Sequence, residues 1–494
     1  MFDLVTVTAI LCVVFALIVM ALLRDSPSGS LPKGPPGLPL LGNLLLFRSR
    51  AYPVDEILTN WAKEYGKIYR LKIGPKSMYI LNGYDCINEV FNNPDVHGRN
   101  TACTLKAGLG EGAGTASSEG QAWSCQRHFT LKYFSSSTER LEEAVSEEVT
   151  RVLSALNSKP QTPIDIANDV VKPAFYSIMC KVALAKKYNY TDDEFTTILD
   201  VLDTVSKNSG PAGLYFSLKL PFGKSHEIFR KVSSLKTLLT KAIDERRDYL
   251  MDTSATPSCY ADCYLLQNNE GQRKEEGGEH FTDINLIWSI FEFLFGGTAV
   301  PVVAMSSIIV YLINNPHVQV RIQQELDSEL GDKPPTWAER QRLPYTQAAI
   351  AEIMRHANVT FLALPHVARK PVAVDEYRFP AGSIFMSNLH SVMMDPITFP
   401  NPQKFDPERF LDEDGNYRKA KELVPFGIGM RTCAGAHFAQ MEFFLMTCNI
   451  LQKMTLANPP GEDAPTIFTS SGGISRSPRP FKVLVRPRKT ELST

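Results

Sequence analysis

A mainly α-helical domain with small β-sheets, preceded by an N-terminal transmembrane helix, is the fold class that this sequence of 494 residues predicts. Three observations predict it. An uncharged apolar run occupies residues 4–23. Long stretches of helical periodicity fill most of the remainder, separated by short β-branched runs. No composition boundary divides residues 44–494, so the bulk reads as one unit long enough to bury a large core.

The opening run, LVTVTAILCVVFALIVMALL, has about the ~20 residues needed to span a bilayer. Asp3 precedes it, and Arg24 and Lys33 follow, which by the positive-inside tendency leaves the rest of the chain cytoplasmic. The run is longer than the apolar part of a signal peptide and lacks a basic leader, so it reads as an uncleaved anchor over residues 1–24. Residues 25–43 form a tether and a Pro-rich strip, stiffened by prolines that fix φ and remove amide donors. Residues 44–494 form the main domain.

Lys and Arg number 52 against 53 Asp and Glu, a balance that gives no support for a nucleic-acid partner. The nine cysteines are odd in number, scattered and free of any CxxC. A disulfide framework is therefore not expected, and a reducing compartment fits better.

Along the domain, residues 54–65 predict a helix, and 68–73 with 77–81 predict a hairpin. Further helices are expected over 138–156, 164–185 and 225–250. The polar stretch 267–280 reads as an exposed loop. A long apolar helix then runs from Phe281 to about Ile313, with Thr282 or Asp283 as N-cap. Short strands dominate 361–385.

The segment 425–435, PFGIGMRTCAG, carries the chemistry. Gly427, Gly429 and Gly435 allow a tight loop whose backbone can lie against a flat ligand. The helix-forming stretch 436–450 follows at once, so Cys433 stands at a helix N-terminus, where the dipole and free amides favour a thiolate. Phe426, Gly427, Gly429, Arg431, Cys433 and Gly435 match the haem-binding signature Phe-Gly-x-Gly-x-Arg-x-Cys-x-Gly. The chain thereby resembles the cytochrome P450 family.

The resemblance covers nearly all of 31–494 and is greatest to animal microsomal clan-two members. Glu352 and Arg355 look like the family's Glu-x-x-Arg pair, and Arg409 in Phe405–Phe410 looks like the third member of a buried scaffold network. Trp123 and Arg127 are similar to the Trp-x-x-x-Arg motif. Together with Arg99, His366 and Arg431 they are implied to hold the carboxylates of haem b, iron protoporphyrin IX, with Cys433 as axial thiolate and metal ligand. Phe426 and Gly435 belong to the same cofactor-binding loop. The resemblance further implies electrons from NADPH through a separate NADPH–cytochrome P450 reductase, cytochrome b5 as a second donor, and an endoplasmic reticulum membrane location. No nicotinamide or flavin fingerprint is present in the chain. Segments 343–349 and 364–368 look similar to insect hormone enzymes of the juvenile-hormone epoxidase and Spook types.

One departure stands out. Family members place an acid and a threonine after the paired small residues of the long helix, where they help deliver protons for oxygen activation. Here Gly296 and Gly297 are followed by Thr298, Ala299, Val300 and Pro301. Val300 replaces the alcohol and Ala299 the acid. Thr298 lies two residues earlier, rotated by about 200°, and is expected to face away. Pro301 is expected to kink the helix, and a kink is what could re-aim Thr298. Glu292, one turn before the glycines, is the acid that could act through water. The catalytic candidates are therefore Gly296, Gly297, Thr298 and Glu292. The expected activity is insertion of one oxygen atom from dioxygen, as hydroxylation or epoxidation, into a small hydrophobic endogenous substrate such as a terpenoid or steroid hormone precursor. The missing pair keeps open a rearrangement of lipid peroxides that needs no reductase.

Overall fold

A computed structural model describes residues 12–16, 31–39, 41–48, 53–74, 76–99, 108–111, 114–158, 161–208, 224–252, 254–267, 277–469 and 475–488. Of the expected anchor, 12–16 lies within these ranges as an exposed helical turn; the rest of it, the tether 25–30 and most of the loop 267–280 lie outside the described residues.

Apolar residues at helical spacing build the body. In chain order the helices are α1 (Val54–Tyr65), α2 (Tyr84–Phe91), α3 (Gly120–Ser136), α4 (Thr138–Asn157), α5 (Lys172–Leu184), α6 (Asp193–Asn208), α7 (Lys224–Tyr249), α8 (Tyr260–Gln267), α9 (Asp283–Gly296), α10 (Ala299–Asn314), α11 (Pro316–Glu329), α12 (Pro344–Ala357), the short α13 (His390–Met393) and α14 (Ala436–Lys453). A π-helical turn, Ala167–Val171, leads into α5, so the helix expected over 164–185 is wider at its start and shorter, and it ends on Ala185 at φ 54°. One core cluster joins α3, α4, α5, α9, α10 and α14, with Trp288, Phe175 and Tyr260 among its fully buried side chains.

The α9–α10 stretch is apolar and long enough to cross a membrane by composition, but its side chains are largely buried in this core. It is the central helix of the domain. Thr282 caps it, its hydroxyl accepting the Asn285 amide at 3.3 Å. The helix breaks earlier than expected. It stops at Gly296 and restarts at Ala299, which makes Pro301 the third residue of α10. In the first turn of a helix an amide has no acceptor, so proline costs little there. The discontinuity therefore sits at Gly297–Thr298, not at Pro301.

The expected hairpin is β1 (Ile68–Ile73) with β2 (Lys76–Asn82), antiparallel from Ile68↔Leu81 to Ile73↔Lys76. The strands β3 (His366–Val367), β4 (Val372–Val374), β5 (Tyr377–Phe379) and β6 (Ile384–Asn388) follow. β6 runs parallel to β2, and β3 pairs antiparallel with β6, giving the sheet order β1-β2-β6-β3. Gly98 bridges Val367 through reciprocal amide–carbonyl bonds of 3.0 and 2.9 Å, which brings Arg99 beside the strand that carries His366.

The charged scaffold is assembled as the motifs implied. The Glu352 carboxylate accepts from Arg355 Nε at 2.7 Å and Nη2 at 2.8 Å, both residues fully buried. It also accepts from Arg409 Nε at 3.1 Å and the Asp406 amide at 2.9 Å. The remaining Arg355 donors reach the Met393 and Pro402 carbonyls. Every charge is thus satisfied, the condition for tolerating it in a core. The network ties α12 to the chain before the cysteine loop.

Candidate functional site

The segment 424–433 is folded on itself by three backbone bonds: the Gly427 amide donates to Val424, the Thr432 amide to Gly429 at 3.1 Å, and the Cys433 amide to the Phe426 carbonyl at 2.9 Å. Gly429 has φ +83°, and a Cβ there would lie 2.5 Å from the Phe91 carbonyl oxygen, so glycine is required for the approach of the loop to α2. Gly435 caps α14. Cys433 is exposed by area, but that area faces a cavity of about 370 Å³ inside the fold. Burial pushes its thiol above the ordinary range, against the opposing pull of the Gly435 amide and the Arg127 charge. A metal held at this sulfur would favour the ionised thiol.

Phe426, Cys433, Gly435, Trp123, Arg127, Arg99, His366 and Arg431 all line this cavity. Arg99 donates to the Pro365 carbonyl at 2.8 Å and Leu364 at 3.2 Å. Arg431 donates to His97 at 2.7 Å, Ser118 at 2.6 Å and Ala116 at 3.1 Å, with its guanidinium 4.2 Å from the Trp123 ring centre. Arg127 donates to the Thr432 hydroxyl at 3.1 Å. Burial, together with Arg99 and Arg127, pushes Arg431 down to about 8, and burial pushes Arg99 to about 10. A guanidinium does not surrender its proton in proteins, so the cluster stays positive in a buried setting that favours an anion. The buried Trp123 indole N–H has no acceptor among the described residues. Converging guanidiniums and an orphan N–H fit the two carboxylates of a porphyrin.

His366 fits on one condition. Its ring stacks on Phe91 at 3.7 Å, and Nδ1 lies 3.0 Å from the Val96 carbonyl. A neutral ring must then carry its proton on Nδ1, leaving Nε2 bare, and burial with Arg99 nearby holds its pKa well below 6.5. A carboxylate at Nε2 is met by a hydrogen bond only once His366 has gained a proton, which the anion itself favours.

The opposite wall comes from the broken helix. Gly296, Gly297, Val300 and Pro301 line the cavity, Val300 being 44% exposed toward it. Thr298 does not reach it. Its side chain is fully buried, and its hydroxyl donates to the Leu294 carbonyl, so it is not brought together with the other candidates. The helix break consumes that hydroxyl instead of re-aiming it. Glu292 lines the cavity, but its carboxylate accepts the amides of Thr115 at 2.7 Å, Ala116 at 2.8 Å and Ser117 at 3.0 Å. Burial raises it to about 7 against those bonds. Beside it, Thr115, Thr130 and Tyr260 form a buried chain of hydroxyls with 3.0 Å spacings.

Sequence reasoning missed Glu442. It is a buried acid lining the cavity from α14, its Oε1 without a partner among the described residues, and burial pushes its carboxyl well above 4.5. The signal was a lone acid inside the apolar run FAQMEFFLM.

Comparison with known proteins identifies the family. The family model for cytochrome P450 matches residues 32–485. The chain is 31% identical to cytochrome P450 2F2 of Rattus norvegicus over 97% of its own length and 99% of the relative. It is 33% identical to cytochrome P450 2F5 of Gorilla gorilla gorilla, covering 93% and 94%, and 30% identical to cytochrome P450 2C44 of Mus musculus, with the same coverage. A cavity floored by a cysteine loop, ringed by unneutralised guanidiniums and matched end to end by these relatives leaves one assignment: the chain belongs to the cytochrome P450 family.

Proposed function

We propose that the protein is a membrane-anchored monooxygenase of the endoplasmic reticulum that oxidises a small hydrophobic endogenous molecule, a terpenoid or steroid hormone precursor. Electrons come from NADPH through cytochrome P450 reductase, with cytochrome b5 as a second donor. The carrying observation is the broken-helix wall of the cavity, where Gly296, Val300, Pro301 and Ala304 present an apolar surface and the acid of that helix that lines the cavity, Glu292, is held by three loop amides. When bound, a haem with a cysteine axial ligand supplies oxygen activation, the sulfur favouring O–O cleavage.

The chain's own residues then divide the work. Cys433 holds the iron. Arg99, Arg127, Arg431, Trp123 and protonated His366 hold the carboxylates. Gly296 leaves room for substrate, Gly297 lets Met179 pack closely against the helix, and Val300 excludes ordered water from that side. Protons must come from water or from a polar group of the substrate, which favours one dedicated substrate over many.

A second reading is supported by the same wall and by the Thr298 hydroxyl turned to Leu294: rearrangement of a lipid peroxide, in which oxygen is already present and no reductase is needed. Reconstitution into vesicles separates the two. Monooxygenation requires product from a terpenoid or steroid precursor with NADPH and reductase, and none from a fatty hydroperoxide alone; the reverse result establishes rearrangement. In the monooxygenase, Val300→Thr should cut uncoupled hydrogen peroxide release roughly 10-fold by restoring a proton-transferring hydroxyl. Peroxide yield per NADPH checks this, and an unchanged yield would mean that protons already arrive by another route.

A further inference from the structure

Glu292 sits one turn before the glycines of the broken helix, where an acid would be expected to handle protons. Its surroundings give it other work. Both carboxylate oxygens are taken by three consecutive amides, Thr115, Ala116 and Ser117, contributed by a loop about 175 residues away in sequence. The loop is pressed onto α9 at that point. Gly114 has φ +50°, and a Cβ there would lie 2.6 Å from Glu292 Oε2 and 2.9 Å from the Ser289 amide nitrogen. The other side of the same loop faces the cofactor's guanidiniums. The Ala116 carbonyl accepts from Arg99 Nε and Arg431 Nη1, and the Ser118 carbonyl accepts from Arg431 Nη2 at 2.6 Å. The charge of Glu292 also acts on Arg99 and Arg431, opposing the downward push of burial on both.

We propose that Glu292 is a positioning residue for the cofactor's carboxylates: it gathers the amides of residues 115–117 and so aims the Ala116 and Ser118 carbonyls that orient Arg99 and Arg431. This rests on the assignment of those arginines to the haem carboxylates. A carboxylate is the side chain that can accept several amides at once and also offset part of the positive charge of the cluster. Glutamine keeps the shape but replaces one acceptor with a donor that faces an amide, so the loop loses its anchor while the fold keeps its volume.

The test uses full-length holoenzyme and two readouts that do not depend on turnover: the propionate bending band in resonance Raman, and the rate of haem transfer to excess apomyoglobin. Glu292→Gln should shift the band and speed haem loss about 10- to 100-fold, the usual cost of removing an outer-shell partner. Glu292→Asp, which keeps the charge, should restore part of both. Arg431→Lys should shift the same band directly. A band moved by Arg431→Lys but unmoved by Glu292→Gln overturns the proposal alone. A band unmoved by Arg431→Lys overturns the arginine assignment, and the proposal with it. Should Glu292→Gln yield no holoenzyme, Gly114→Ala decides, since it displaces the loop from an intact carboxylate: a shifted band supports the proposal and an unshifted one overturns it.

Discussion

Replacing Cys433 with serine should abolish the red-shifted reduced carbon monoxide band and all turnover while leaving the fold intact. The sulfur faces the cavity from a loop held by its own backbone, through the Gly427–Val424 and Cys433–Phe426 bonds, and none of these uses the side chain. Serine fits the same space, so what is lost is electronic. An alcohol is a far poorer anionic donor than a thiol, and the electron push that favours O–O cleavage goes with it. The expected rate loss exceeds roughly 10⁴-fold, since the ligand enters every step of oxygen activation. Spectra of the reduced carbon monoxide complex check the ligand, and far-ultraviolet circular dichroism checks the fold. A variant that keeps the band would place the ligand elsewhere.

Glu352→Gln should be the most destabilising conservative change in the scaffold. Glu352 is fully buried and shared by Arg355, Arg409 and the Asp406 amide. Removing its charge strands two guanidiniums, one of them with no exposure at all. Breaking a buried pair from one side costs about 3–5 kcal/mol. That is a large share of the ~5–15 kcal/mol by which folded domains are stable. Because α12 and the chain before the cysteine loop meet at this network, haem retention should fall together with the urea midpoint. The exposed pair Arg321–Glu408 supplies the contrast. Glu408→Gln should change the unfolding free energy by less than about 0.5 kcal/mol. Equal losses in both variants would mean that the buried network is not what holds this region.

How much of this was legible in the sequence follows from how local each signal is. The cysteine loop is local: six matched positions within ten residues set the turn and the ligand together. The helices α1, α4, α7 and α14 were legible from spacing, and the cap at Thr282 from residue type. The pairing of Glu352 with Arg355 is i to i+3 and equally local. The orientation of Thr298 followed from helical rotation. The exact break at Gly297–Thr298 did not, because the eye is drawn to Pro301, whereas the first turn of α10 absorbs a proline without loss. Glu292 shows the limit most plainly. Its type and place suggested proton transfer, but its partners are amides of a distant loop, and no side-chain pattern announces an amide. The depth at which Cys433 sits was not legible for a related reason: a helix terminus is visible in sequence, while the depth of a cavity is not. Glu442 was passed over because one acid in an apolar helix resembles a surface position until the packing around it is known.

The three guanidiniums around the cavity also bear on how long the protein lasts. Gathered like charges weaken a fold until something negative joins them. A dianionic porphyrin is therefore a stabilising ligand as well as a reagent, adding about 2.7 kcal/mol when its free level stands roughly 100-fold above Kd. Abundance of the enzyme is thereby coupled to pigment supply: chains made faster than porphyrin is delivered populate open forms more often, and those are the forms that proteases remove.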